Sequence, residues 1–207
     1  MKISNCLLQY PKSDFKLVVV SLVLKENKVN CLLGDNGCGK STLLKQIMLD
    51  ACEHDISSKM MLLQKPYIFT GSVLDNLNLI KKLCPNSKID SSKLIDDLDL
   101  KSFLNQRARS LSGGQRQRLA FALVMLSDSD LIILDEPFNN IDIKSQQLMI
   151  NVIKQYPKTY LLVSHKINLA RKISDHFILM EAGQVIAEGD HTLFEQNEKL
   201  KILMEME

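Results

Sequence analysis

At 207 residues, with 24% charged and 45% hydrophobic side chains, the chain has the make-up of a folded globular protein of one domain, or one domain with a small lobe. A formal net charge of +2 gives no electrostatic ground for nucleic acid as the main partner. The longest apolar run, Leu17 to Leu24 with Ser21 inside it, falls short of the roughly 18 to 20 residues that a membrane span needs.

The start, Met1 to Cys6, carries one basic residue and no long apolar core, so it does not read as a secretory signal and residence in the cytoplasm is expected. Leu17 to Leu24 is rich in β-branched residues and predicts a strand, as does Val29 to Leu33. A glycine-rich loop from Gly34 to Gly39 follows, and Lys40 to Leu49 has helical apolar spacing. Met60 to Gln64 reads as a buried strand whose exit Pro66 bends.

Val73 to Leu83 and Ser91 to Phe103 carry apolar residues every three or four positions around Cys84-Pro85-Asn86-Ser87, which predicts a small helical lobe. Ser112 is placed to cap a helix over Gln115 to Leu126. Leu131 to Leu134 and Tyr160 to Val163 are short apolar runs of the kind found in parallel strands covered on both faces, and the helical stretch Gln146 to Tyr156 between them completes a βαβ unit. Phe177 to Ala187 reads as a hairpin turning at Gly183. Cys6, Cys31, Cys38, Cys52 and Cys84 are odd in number and lack metal-site spacing, so reduced thiols are expected.

Gly34-Asp35-Asn36-Gly37-Cys38-Gly39-Lys40-Ser41 satisfies G-x-x-x-x-G-K-[ST], between a predicted strand and a predicted helix. In that arrangement successive backbone N–H groups and a helix N-terminus surround a polyphosphate. Lys40 is expected to neutralise the β- and γ-phosphates, Ser41 to offer Mg²⁺ a hydroxyl, and Thr42 to lie near the α-phosphate. Leu131 to Leu134 runs into Asp135 and Glu136, placing carboxylates at the end of a buried strand, where α/β sheets bind ligands. Asp135 is expected to hold Mg²⁺, and Glu136 to polarise the water that attacks the γ-phosphate.

Leu111-Ser112-Gly113-Gly114-Gln115 resembles the signature of the ATP-binding cassette family at all five positions. The resemblance implies a P-loop NTPase fold, α/β with a RecA-like core of mainly parallel strands, a helical subdomain at roughly 73–110 and an antiparallel β part, the whole of 1–207 forming one nucleotide-binding domain. It implies a head-to-tail pair with a second such domain, in which Ser112, Gly113, Gly114 and Gln115 of one subunit meet the nucleotide on the phosphate loop of the other. Gln64 matches the family glutamine that senses Mg²⁺ and the attacking water, and His165 the switch histidine at the γ-phosphate. Asp142 matches an aspartate that contacts the opposite subunit, and Tyr10, preferred to Phe15, the aromatic that stacks on adenine.

From Lys40 to Gln64 the chain is shorter than is usual in the family, so the antiparallel part is expected to be trimmed. The resemblance further implies that residues 66–83 receive integral membrane subunits of a transporter, with the chain bound peripherally at the cytoplasmic membrane face and ATP hydrolysis driving transport. The competing expectation is a soluble cassette ATPase acting on ribosomes or DNA.

Overall fold

The computed structural model describes residues 1–11, 14–127 and 129–205. In chain order, strands β1 (Lys2–Gln9), β2 (Lys16–Val23) and β3 (Val29–Leu33) precede helix α1 (Lys40–Met48). The short β4 (Glu53–His54) and β5 (Lys59–Leu62) lead to helices α2 (Val73–Leu83), α3 (Ser91–Asp97) and α4 (Gly113–Met125). Strand β6 (Leu131–Asp135), helix α5 (Ile143–Gln155), strand β7 (Thr159–Val163) and helix α6 (Ile167–Ile173) follow. The hairpin of β8 (His176–Glu181) and β9 (Gln184–Gly189) and the helices α7 (Leu193–Gln196) and α8 (Glu198–Glu205) close the chain.

Six strands form one sheet in the order β5-β6-β7-β3-β8-β9. The first five run parallel, and β9 pairs antiparallel with β8. A second, antiparallel sheet has the order β2-β1-β4, with only two residues in β4, the trimmed antiparallel part expected from the short Lys40–Gln64 interval.

The alternation of side chains along the parallel strands divides the core into two layers. Ile132, Leu134, Tyr160, Leu162, Phe177 and Leu179 pack with α4 and α5 on one face, while Leu131, Ile133, Leu161, Val163, Ile178 and Met180 pack with α1 and the antiparallel sheet on the other. Because both faces are covered, these strands carry no polar alternation. Helix α4 is buried nearly all round from Gln117 to Met125, which places it at the centre of its layer.

Three expectations need correction. The strand predicted over Met60 to Gln64 is β5, an edge strand with three half-buried residues that ends at Leu62, so Gln64 lies beyond it. The helix predicted over Ser91 to Phe103 stops at Asp97, because Asp99 takes a left-handed conformation (φ 51°), and the chain resumes as a 3₁₀ turn over Lys101–Phe103. The cysteines are not five free thiols. Cys6 and Cys52 are joined as a disulfide with Cα atoms 4.6 Å apart, and Cys31, Cys38 and Cys84 are free. The pairing follows from β1 lying against β4, with Ser4 opposite Glu53, a register that a two-residue strand does not announce in sequence.

Candidate functional site

The strand order brings together the residues that the sequence separates. Since β5, β6, β7 and β3 are successive parallel neighbours, their C-terminal ends lie side by side, and the segments leaving those ends carry Gln64, Asp135 with Glu136, His165, and the loop Gly34 to Lys40. Such a crevice outside the carboxyl ends of the strands is where open α/β sheets bind ligands. A cavity of about 390 Å³ lies there, lined by Tyr10, Phe15, Asn36, Gly37, Gly39, Lys40, Ser41, Thr42, Gln64, Asp135, Glu136, Val163 and His165.

The phosphate loop is shaped by its glycines. Gly34 has φ +146°, and a Cβ there would collide with the Met180 carbonyl oxygen, so no other residue lets the loop leave β3 against β8. Helix α1 starts behind Gly39 with no side-chain cap, so its first N–H groups suit an anion. Lys40 is 7% exposed, and its ammonium donates to the carbonyls of Gly34 at 2.6 Å and Asp35 at 2.9 Å. Gly34, Asp35 and Cys38 form the base of the loop without lining the cavity.

Glu136 is 5% exposed and holds a left-handed backbone (φ 51°) directly after β6. Oε2 accepts the His165 backbone N–H at 3.1 Å. Oε1 lies 3.2 Å from His165 Nε2 without hydrogen-bond alignment, and so remains a buried acceptor with no donor among the described residues. Burial raises the Glu136 carboxyl above the usual range, opposed by the His165 N–H and imidazole and assisted by the neighbouring Asp135 charge. Burial raises Asp135 as well, partly offset by Lys40 and His165.

The oxygen donors of Ser41, Gln64 and Asp135 line the same cavity, and an all-oxygen set with a single carboxylate fits a magnesium ion that keeps waters and takes its other ligands from phosphates. That no cluster of three His, Cys, Asp or Glu residues exists among the described residues is compatible with such an ion.

Ser112, Gly113, Gly114, Gln115 and Asp142 lie outside this cavity, at a second cluster. Ser112 caps α4 in a reciprocal box: its hydroxyl accepts the Gln115 N–H at 3.3 Å, and the Gln115 side chain accepts the Ser112 N–H at 2.9 Å. Asp142 caps α5 by accepting the Ser145 N–H at 2.8 Å and hydroxyl at 2.7 Å. Phe15, ranked behind Tyr10 in sequence, lines the cavity as well, and its ring presses on Gly39. No spacing signal distinguishes the two aromatics, since either position suits a core side chain.

A glycine-rich loop joining a buried strand to a helix, with an acidic strand end beside it, defines a P-loop nucleotide-binding protein. Residues 17–139 match the family model described as ABC transporter, and the chain belongs to that family, whose cassette domain binds nucleotide. It is 31% identical over 226 residues to the lactococcin-A transport/processing ATP-binding protein LcnC of Lactococcus lactis subsp. lactis, covering 95% of this chain and 32% of that protein. It is 25% identical to the phosphonates import ATP-binding protein PhnC of Lactiplantibacillus plantarum, covering 87% of this chain and 85% of that one. The chain thus spans about a third of the length of LcnC and most of PhnC.

Among solved structures, an ATP-binding subunit of an ABC transporter superposes with a TM-score of 0.82 at 20% identity, over 96% of this chain and 93% of the other. An ATP-binding cassette of an ABC transporter in its ADP conformation gives 0.77 at 22%, over 100% and 98%. At those identities the likeness establishes the fold.

Proposed function

We propose that this chain binds ATP with Mg²⁺ at the cavity between β3 and β5, pairs head-to-tail with a second cassette domain, and hydrolyses ATP to drive separate integral membrane subunits of a transporter. The observation that carries the reading is the Glu136 carboxylate, which belongs to a residue lining the cavity of the phosphate loop and has one oxygen satisfied by the His165 N–H and the other left as a buried acceptor. A buried acceptor without a donor is costly unless a ligand or water completes it.

In this reading Lys40 leaves the loop carbonyls for the β- and γ-phosphates, and Tyr10, with Phe15, packs on the base. Ser41, Gln64 and Asp135 hold Mg²⁺, which when bound neutralises phosphate charge. Glu136 accepts a proton from water as the water oxygen attacks the γ-phosphorus. The bond to the β-phosphate oxygen breaks, and ADP and phosphate result. His165, half exposed at the rim, donates to a γ-phosphate oxygen. Ser112 and the amides of Gly113 and Gly114 form the anion site for the partner's nucleotide, and Asp142 faces that partner.

The docking of membrane subunits is supported by an apolar cleft of about 180 Å³ between β5, the segment 63–69, the last turn of α2 and α4, lined by Leu63, Pro66, Tyr67, Phe69, Ile80 and Leu123 among others. Tyr67 is 75% exposed and stacks edge-on against Phe69 at 5.5 Å. The segment is held from behind by Asn76, which is buried, accepts the Phe69 N–H at 2.9 Å and donates to the Phe69 carbonyl at 3.1 Å. An exposed aromatic pair on a fixed backbone suits a protein partner. We place the helices of 73–110 between that partner and the signature helix as a lever, and the chain at the cytoplasmic face of a membrane. No helix of the described residues is long and apolar enough to cross one.

The test is turnover of Mg-ATP by the purified chain, with and without its co-purifying membrane protein. Glu136→Gln should abolish it while nucleotide binding persists. Absence of turnover in the unsubstituted chain under both conditions would falsify the catalytic reading.

A further inference from the structure

The turn that carries Glu136 is held in an unusual way. Glu136 has a left-handed backbone, and Pro137 behind it has no N–H to give. Three side chains, from α4, from α5 and from the residue that precedes α6, hold the carbonyls that follow, the Pro137 carbonyl being fully buried. Gln117 Nε2 of α4 donates to the Pro137 carbonyl at 3.1 Å, Lys166 Nζ to the Phe138 carbonyl at 3.0 Å, and Gln146 Nε2 of α5 to the Phe138 and Ile141 carbonyls at 3.3 and 3.2 Å.

Gln117 differs from the other two in where its helix begins. Helix α4 starts just after its cap Ser112, in the signature cluster, and Gln117 lies five residues beyond Ser112, 5% exposed. One turn earlier Gly114 packs against the Asp142 carboxylate and the Ser145 hydroxyl. The first two turns of α4 therefore grip both ends of the segment 137–142, and a movement at Ser112 reaches the turn of Glu136 through one buried hydrogen bond.

We propose that Gln117 is a positioning residue for the general base: by holding the Pro137 carbonyl it sets the Glu136 carboxylate, and it couples the signature cluster, which faces the partner's nucleotide, to hydrolysis at this chain's own phosphate loop. The inference rests on the catalytic reading above. Coupling of this kind needs a contact that both sites can bias, and a buried amide on a strained turn is such a contact.

The experiment uses Gln117→Met, which keeps volume and loses the donor, and Gln117→Glu, which keeps shape and sets an acceptor against the carbonyl. ATP turnover is measured from about pH 5 to about pH 9 on the full chain with its membrane partner. Expected is a fall in kcat of at least about tenfold with KM for ATP, and affinity for a non-hydrolysable ATP analogue, within about twofold, together with a displaced acidic limb of the kcat profile. A purely structural residue would move the melting temperature and leave the limb in place.

Unchanged kcat and limb, or losses that track nucleotide affinity, overturn the proposal. Unfolding of both variants overturns it too, since Gln117 would then be holding the core. If the unsubstituted chain does not hydrolyse ATP, the catalytic reading has failed. If it does and the variants match it, only the role of Gln117 has.

Discussion

Glu136 combines three costs in one residue: a left-handed backbone, a carboxylate buried to 5%, and an oxygen without a donor. Each is unfavourable to folding, and a residue that keeps all three is held there by its surroundings for a task. The pH dependence follows with its sign. Burial raises the Glu136 carboxyl, so the proton is bound more tightly in the folded chain than in the unfolded one. As pH falls through that raised pKa the base is lost and turnover declines, with an acidic limb above the ordinary glutamate range. Conformational stability moves the other way, because protonation relieves the buried charge. The difference in melting temperature between the unsubstituted chain and Glu136→Gln isolates this contribution: it should shift in favour of the unsubstituted chain as pH falls across the limb while turnover declines, and a difference that stays flat or shifts the other way would reject the assignment. Glu136→Gln, which removes the charge but keeps the shape, should be at least as heat-stable as the unsubstituted chain at neutral pH.

Among the elements, α4 does the most positioning, and its two N-terminal glycines separate packing from ligand approach. A methyl group at Gly114 would run into the Asp142 carboxylate and come within 2.8 Å of Ser145 Oγ, whereas at Gly113 the nearest atom is the Asn140 carbonyl oxygen at 3.9 Å. Gly114→Ala should cost about 1–3 kcal/mol from overpacking, plus about 1 kcal/mol if the Asp142 cap of α5 is lost. A melting temperature lower by roughly 2–16 °C would report it. Gly113→Ala should melt near the unsubstituted chain yet pair poorly in ATP, as read by light scattering. The reverse ranking in the thermal melt would mean that α4 does not sit on α5 as described.

Legibility also varies by element. The parallel strands were readable because burial on both faces leaves Leu131 to Leu134 and Tyr160 to Val163 without polar interruption, and the phosphate loop because its glycines have backbone reasons. Strand β1 and helix α6 carry no assignment in the sequence reading. In β1, Asn5 adopts φ 52° and breaks the alternation, and α6 spans only seven residues with no side-chain cap. The roles of Gln117 and Lys166 had no sequence signal at all, since each acts through a carbonyl that only the fold brings near.

On the scale of the whole molecule, the two clusters of candidate site residues face different partners. The cavity lies at the ends of four parallel strands, and the cap of α4 with Asp142 stands apart from it, so under the proposed function one chain offers two incomplete halves of a site. In the proposed head-to-tail pairing, a second cassette domain completes both. The proposed docking surface is separate again, because Tyr67 and Phe69 line the apolar cleft and not the cavity of the phosphate loop. Replacing Tyr67 and Phe69 together by Ala removes exposed and part-exposed rings, so the fold and ATP-analogue binding should be nearly unchanged, while loss of a central aromatic pair from an interface typically costs at least about 2 kcal/mol, or some thirtyfold in affinity. Purified from its native cells in mild detergent, the unsubstituted chain should bring down an integral membrane protein near one-to-one, and the double variant should not. Equal recovery with both would move the docking surface elsewhere. Recovery of ribosomes or DNA-bound proteins in place of a membrane protein would leave the nucleotide site standing and assign its work to a soluble partner.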